Sequence, residues 1–399
     1  MANDAQARVR SGRRPSVAWL TATAWASMLI FSGTATLVSV PLKQIGDDLQ
    51  VGFAERGLLA PARSVMLALS TLLAGYFADR FGKRWFLGGG LCVVALGLLW
   101  TGATGTYSGL LVGMMAIGCG LGPIEGLASP LIADLHPKAL ATQMNVLHAF
   151  YSAGLAAASL LLGATLDRGM HWRAAFPWAA VPALLIGIMF LAGRYPGLDD
   201  GQRRTPLPVR EILRSRAFWP LAAAMALTAG CEGSLTFWSP NFIQAEYGAS
   251  ALVGSYGLAV FAAAMTVGRF ATGAATRFVS LPSLMVALAL VGAGATLCLA
   301  LVRSLPVSLA AFVLGGLCMA CFWPSILSLA TSHMAPGSAT PLAMLSVAGI
   351  AGFGGVPLLI GLVGEWGGLR VGLLVLPVGL LASVGALKAA TGKLQPVRR

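Results

Sequence analysis

The chain has 399 residues, 57% of them hydrophobic and only 10% charged, and its mean hydropathy is +0.79. That composition excludes a soluble domain, and apolar runs that are continuous rather than alternating exclude a β-barrel. The net charge of +13 sits beside the apolar runs and not on an aromatic-rich surface, so lipid headgroups rather than nucleic acid are its counter-charge.

A basic tail (1–16) carrying Arg8, Arg10, Arg13 and Arg14 precedes the first apolar run. That run outlasts a signal-peptide core and lacks a small-x-small cleavage site, so it reads as a first membrane span. Apolar runs predict twelve spans: 17–42, 56–78, 85–104, 108–135, 143–166, 174–194, 217–244, 253–275, 282–303, 306–334, 342–364 and 371–390. Several exceed the roughly 20 residues that cross a bilayer, which implies tilt, kinks or protruding ends. Pro123 and Pro130 in span 4, Pro240 in span 7 and Pro324 in span 10 mark kink sites.

Arg63 lies about seven residues into span 2. Snorkelling to the nearer interface accounts for it, and attraction of an anionic substrate is the alternative. Between spans 2 and 3 runs Gly75-Tyr-Phe-Ala-Asp79-Arg80-Phe-Gly82-Lys83-Arg84. Gly75 and Gly82 are small enough for two helix ends to approach closely. Asp79 is placed to accept hydrogen bonds from the next helix, and Arg80, Lys83 and Arg84 to hold the turn on an anionic membrane face.

Span 4 carries Glu125 within Gly118-Cys-Gly-Leu-Gly-Pro-Ile-Glu125-Gly-Leu-Ala-Ser-Pro130. A carboxylate at that depth is costly unless it faces a cavity, finds a partner or takes up a proton. Gly118, Gly122, Gly126 and Ser129 permit close helix approach or ligand access. Asp134 ends the span as a natural ion-pair partner for the basic loop after span 2. In span 5, Asn145, His148 and Ser152 form a polar stripe at i, i+3 and i+7. Counted from the turn near residue 139, Ser152 falls level with Glu125 and His148 about five residues nearer the turn. Histidine suits a proton relay or an interhelical hydrogen bond.

Residues 195–216 are the longest polar interruption, with six spans on either side. They read as a linker between halves 17–194 and 217–390, with a second tail at 391–399. Val209–Arg216 has the composition of a short basic surface helix. Span 7 holds Glu232 near its middle, with Thr228, Thr236 and Ser239 on the same face. Trp238, Phe322 and Trp323 are either packing residues or a stacking platform. One deep carboxylate per half suggests a central site. After span 8, Gly273-Ala-Ala-Thr-Arg277-Phe278 echoes the span 2–3 loop.

Twenty Lys and Arg fall on one side and six on the other, counting Arg269 and Arg277 together as loop charges. The bias puts both termini in the cytoplasm and the chain in the cytoplasmic (inner) membrane. Cys92, Cys119, Cys231, Cys298, Cys318 and Cys321 read as small buried thiols, and His136, His148, His171 and His333 lack metal-ligand spacing. No G-x-x-x-x-G-K-[ST] loop is present for ATP.

The order G-x-x-x-D-R-x-G-K-R between spans 2 and 3 resembles the signature loop of major facilitator superfamily transporters. The resemblance implies an all-α polytopic membrane protein with the major facilitator fold: twelve transmembrane helices in two six-helix pseudo-repeats. In that family a charge network at this loop latches the cytoplasmic side. Gly75, Asp79, Arg80, Gly82, Arg84 and Asp134 match it by position. More narrowly, Gly120-Leu-Gly-Pro-Ile-Glu125, Ser129-Pro130 and Asn145-x-x-His148 resemble the fucose–galactose–glucose:proton symporter family. There Glu125 matches a functional carboxylate, and Glu232 with Trp238 resembles span 7 of its relatives. This chain departs from that pattern at Ser129, usually Asn there, and in having no acid within 17–42.

Together these features predict a secondary active transporter, not an enzyme. It is expected to work as a monomer, without cofactor, on the proton gradient. The expected cargo is a small polar solute, sugar-like or an organic acid, held by Glu125, Asn145, His148, Ser152, Glu232, Thr236 and Trp238. Efflux of a drug or siderophore is the alternative, although span 5 lacks the Gly-Pro turn of drug antiporters. A receptor that binds without transporting ranks below both.

Overall fold

Backbone amides in a bilayer must be satisfied within their own segment, so the long apolar runs fold as helices. The structure, a computed structural model, describes residues 16–195, 209–333 and 340–392, excepting the side chains of 79, 140, 141, 145 and 331–340. The first half holds span 1 (Val17–Ser39), span 2 (Phe53–Phe81), span 3 (Lys83–Ala103), span 4 (Tyr107–Leu135), span 5 (Leu140–Asp167) and span 6 (Trp172–Ala192). The second holds span 7 (Phe218–Tyr247), span 8 (Ala251–Ala275), span 9 (Leu281–Leu301), span 10 (Leu305–Met319 and Phe322–His333), span 11 (Thr340–Gly367) and span 12 (Leu369–Leu373 and Val375–Thr391). A short helix, Leu42–Leu49, joins spans 1 and 2, and another, Val209–Arg214, precedes span 7.

Among the described residues, eleven spans are by length and composition apolar enough to cross a membrane. Span 7 completes the twelve. Its 30 residues include Thr228, Glu232, Ser234, Thr236, Ser239, Asn241 and Gln244, all buried. A helix wrapped by its neighbours meets protein rather than lipid and need not be apolar. Spans 4 and 7 run uninterrupted through Pro123, Pro130 and Pro240. Span 10 breaks before Pro324, so that proline falls in the first turn of the restarted helix, where its missing N–H costs little.

Packing repeats between the halves. Span 2 packs on 4, 3 on 4 and 6, and 1 on 4, 5 and 6. Adding six to each number gives pairs that also pack in the second half: 8 on 10, 9 on 10 and 12, and 7 on 10, 11 and 12; span 7 packs in addition on 8. Across the divide, span 5 packs on 8 and span 11 on 2, which are again equivalent pairs. We call the side where span 1 begins and span 12 ends the terminal face.

The halves are joined at the opposite face. Asp167, ending span 5, accepts hydrogen bonds from the amides of Ala251 (2.9 Å) and Leu252 (3.3 Å), which begin span 8. Glu365, near the end of span 11, accepts from the Ala54 amide (2.7 Å), which begins span 2. Each carboxylate thus caps a helix N-terminus of the other half, where free N–H groups and the helix dipole favour an anion. Four residues before each carboxylate stands a glycine. A Cβ on Gly163 would lie 2.9 Å from the Ala251 carbonyl oxygen, and one on Gly361 would collide with the Phe53 carbonyl. Gln244 of span 7 donates to the Val40 carbonyl (2.7 Å) between these two caps.

Candidate substrate and proton site

Midway through the bundle, Tyr151 of span 5 stands within electrostatic reach of Glu125, Glu232, Arg63 and Arg269. Each charged residue comes from a different span: 4, 7, 2 and 8. Small residues make this density possible. A Cβ on Gly118 would strike the Arg63 carbonyl and one on Gly122 would strike the Ser70 hydroxyl, so spans 2 and 4 touch backbone to backbone. Thr71 secures that contact by donating to the Gly122 carbonyl (3.1 Å).

Arg63 does not snorkel. Its Nη2 donates to the Thr34 hydroxyl (3.1 Å) and the Phe31 carbonyl (3.3 Å) in span 1, and its guanidinium lies over the Phe31 ring, 5.7 Å from the centroid. Phe31 in turn packs on Tyr151, with ring centroids 5.9 Å apart. Neutral acceptors inside the bundle hold the side chain inward. Arg63 Nε is buried without a hydrogen-bond partner among the described residues.

Arg269 is a correction to the charge count. It lies inside span 8, more than a turn from the end, and its Nη1 donates to the Ser152 hydroxyl (2.9 Å) and the His148 carbonyl (3.2 Å). The polar stripe of span 5 therefore faces an arginine of the other half. No contact joins His148 to Glu125 among the described residues; His148 is exposed and in electrostatic reach of Arg269. Ser152 is buried, while Glu125 and Tyr151 are partly exposed. The Asn145 side chain lies outside the described residues.

Glu232 is buried and feels Arg269, and neither it nor Glu125 forms an ion pair or hydrogen bond among the described residues. Thr228 spends its hydroxyl on the Ala224 carbonyl of its own helix (2.8 Å). Thr236 is buried one turn beyond Glu232, and the Ser239 hydroxyl is buried without a partner among the described residues. Trp238 does not line the site. It is fully buried, its Nε1 donates to the Pro357 carbonyl of span 11 (3.0 Å), and its ring meets the edge of Phe53 from span 2. Those partners make it a packing residue of the closed face. Trp323 packs against Phe353 and Gly349 within its own half.

The loop after span 2 also differs from expectation. Nothing lies within 4 Å of a Cβ on Gly75 or Gly82, so neither serves close approach; Gly82 instead takes φ +86°, which a side chain would resist. Lys83 pairs with Asp134, tying the loop to the end of span 4. Arg80 and Arg84 lie over the rings of Phe81 and Trp85. The Asp79 side chain lies outside the described residues.

The signal for Arg269 was an arginine inside an apolar run, the same signal that marks Arg63. Phe31, Thr34 and Tyr151 carried no comparable mark. Their role follows only from what faces them.

Comparison with known proteins agrees with this architecture. The model of the Major Facilitator Superfamily matches residues 22–340. The cis,cis-muconate transport protein of Acinetobacter baylyi is 25% identical over 244 residues, which is 56% of this chain and 58% of that protein. Membrane protein MosC of Rhizobium meliloti is 27% identical over 378 residues, 92% of this chain and 90% of that protein. In fold, a bacterial homologue of the human lysosomal transporter spinster, solved inward-facing and unoccupied, superposes with a TM-score of 0.73 at 20% identity, over 96% of this chain and 97% of its own. These relatives lend no support to the narrower likeness to fucose–galactose–glucose symporters.

Proposed function

The chain belongs to the major facilitator superfamily, and from that premise we propose that it is a proton-coupled secondary transporter of a small polar solute, an organic acid ahead of a sugar. One observation carries the reading. Glu125 and Glu232, one from each half, both lie within electrostatic reach of Tyr151, and neither forms an ion pair among the described residues. A membrane-embedded carboxylate without a fixed counter-ion can carry a proton as cargo, because its neutral form crosses between environments at lower cost than its anion. Protonation then changes which arrangement of the halves is favoured, and alternating access follows.

The charge bias makes the terminal face cytoplasmic. On that orientation the two carboxylate caps close the outer side, and among the described residues no hydrogen bond joins the halves on the cytoplasmic side of the Arg269 contacts with Ser152 and His148. The Lys83–Asp134 pair holds the loop's charge within one half, available for closing the cytoplasmic side when the halves rock back. Similarity to a muconate transport protein fits an organic acid and similarity to myo-inositol and sugar transporters fits a sugar; the two arginines held inside the bundle favour the acid.

Purified protein in proteoliposomes with an internal pH dye tests the reading. We expect a solute-dependent pH change that Glu125→Gln abolishes, and its sign distinguishes symport from export by antiport. Solute-driven proton movement that survives Glu125→Gln unchanged would remove Glu125 from coupling.

A further inference from the structure

An arginine persists inside a membrane bundle only where something answers its charge. Two converge here from different halves. Arg63 is spent on a carbonyl and a hydroxyl of span 1, and Arg269 on a carbonyl and a hydroxyl of span 5. Neither has a carboxylate partner among the described residues, although Glu232 lies within electrostatic reach of Arg269. The Nε of Arg63 is buried with no acceptor among the described residues. Among the described residues, the titratable and charged groups facing this centre are Glu125 from span 4, His148 and Tyr151 from span 5, Glu232 from span 7, Arg269 from span 8, Cys321 from span 10 and Arg63 from span 2.

Charge balance narrows the cargo, and this step rests on the proton coupling proposed above. With a proton on each of Glu125 and Glu232, two positive charges remain, one on each wall of the site. A sugar leaves both unanswered, and a monocarboxylate leaves one. We propose that the solute is a linear dicarboxylate. One carboxylate sits on Arg63 beside the Thr34 hydroxyl, and the other on Arg269 beside the Ser152 hydroxyl. The planar guanidinium fork matches a carboxylate in two parallel hydrogen bonds, which gives orientation as well as affinity. Two protons and one dianion make the loaded site neutral, and the solute bridges the halves through their two arginines.

Calorimetric titration of the purified full-length protein in detergent tests this without any gradient. The probes are adipate, its monomethyl ester, hexanoate and glucose. Adipate should bind roughly 100-fold tighter than the ester or hexanoate, the scale of one buried charge pair. Glucose should give no binding. Arg63→Gln and Arg269→Gln should each reduce adipate to the level of hexanoate, with Arg63→Lys falling between.

Ester or hexanoate binding as tightly as adipate overturns the proposal, as does failure of every dicarboxylate from malonate to pimelate to bind. The adipate–ester comparison uses the unmodified protein, so it decides the matter for variants that do not fold. Adipate binding that moves no protons in proteoliposomes would sink the coupling and leave the dicarboxylate site standing. Protons that follow glucose alone would do the reverse.

Discussion

At the opposite face the halves are held together by carboxylates that reach across to the first turn of a foreign helix, with glycines clearing the way. At the terminal face the one described ion pair, Lys83–Asp134, stays within a single half. The difference separates two uses of charge. Asp167 and Glu365 spend theirs on backbone amides, a contact that needs no partner side chain and is repeated because the halves are repeated. Lys83 and Asp134 stabilise a loop and leave the two halves free of each other. Closure at one face is therefore distributed over two equivalent seams, span 5 with 8 and span 11 with 2, and the Gln244–Val40 hydrogen bond.

The largest effect should come from filling the glycines. In Gly361→Leu the new side chain meets the Phe53 backbone, and in Gly163→Leu it meets Ala251 and Leu252. Backbone in the first turn of a helix cannot swing aside, and overpacking of this kind costs about 1–3 kcal/mol. A cysteine placed at position 53 on a cysteine-free background should then react with an impermeant maleimide about tenfold faster or more. Unchanged labelling would mean that these glycines do not govern closure.

A smaller effect is expected from the caps themselves. Losing a helix cap costs about 1 kcal/mol, so Asp167→Asn and Glu365→Gln should each raise the same labelling rate about fivefold. The two sites share no partner, so their effects should multiply in the double variant. If only one variant responds, the seams are not equivalent and the duplication no longer explains the closure.

Much of this was legible in the chain. Twelve spans and two halves follow from hydropathy because each apolar run is long enough to dominate its own environment. Glu125 and Glu232 stood out because an acid within such a run is rare and needs a reason. Arg269 was misread because it lies little more than a turn from the end of span 8, where a membrane charge and a loop charge look alike. Trp238 could be a platform or a packing residue until its neighbours, Pro357 and Phe53, were known. The pattern Gly-x-x-x-Asp167 in span 5 and Gly-x-x-x-Glu365 in span 11 was present all along. Its meaning depends on which helix starts it faces, and no single segment contains that information.

The smallest expected effect sharpens the comparison by serving as its control. Asp48, in the short helix after span 1, lies at the same face as the caps but binds within its own half. It accepts from Trp172 Nε1 (3.1 Å) and pairs with Arg173, which also donates to the Thr104 carbonyl (3.0 Å). Burial pushes the Asp48 pKa up, but hydrogen bonds from Arg173 and Trp172 and the nearby charges outweigh it and hold the pKa below the ordinary 3.8. A carboxyl depressed on folding contributes stability above its unfolded pKa, near 3.9, and loses it as pH falls through the folded value. Asp48→Asn should therefore melt below the unmodified protein near neutral pH, by no more than about 1 kcal/mol for so exposed a pair, and converge with it in acid. Labelling at position 53 should not change, because this tie does not cross between the halves. A faster rate in Asp48→Asn would mean that closure depends on ionic ties within a half as well as on the two seams between them.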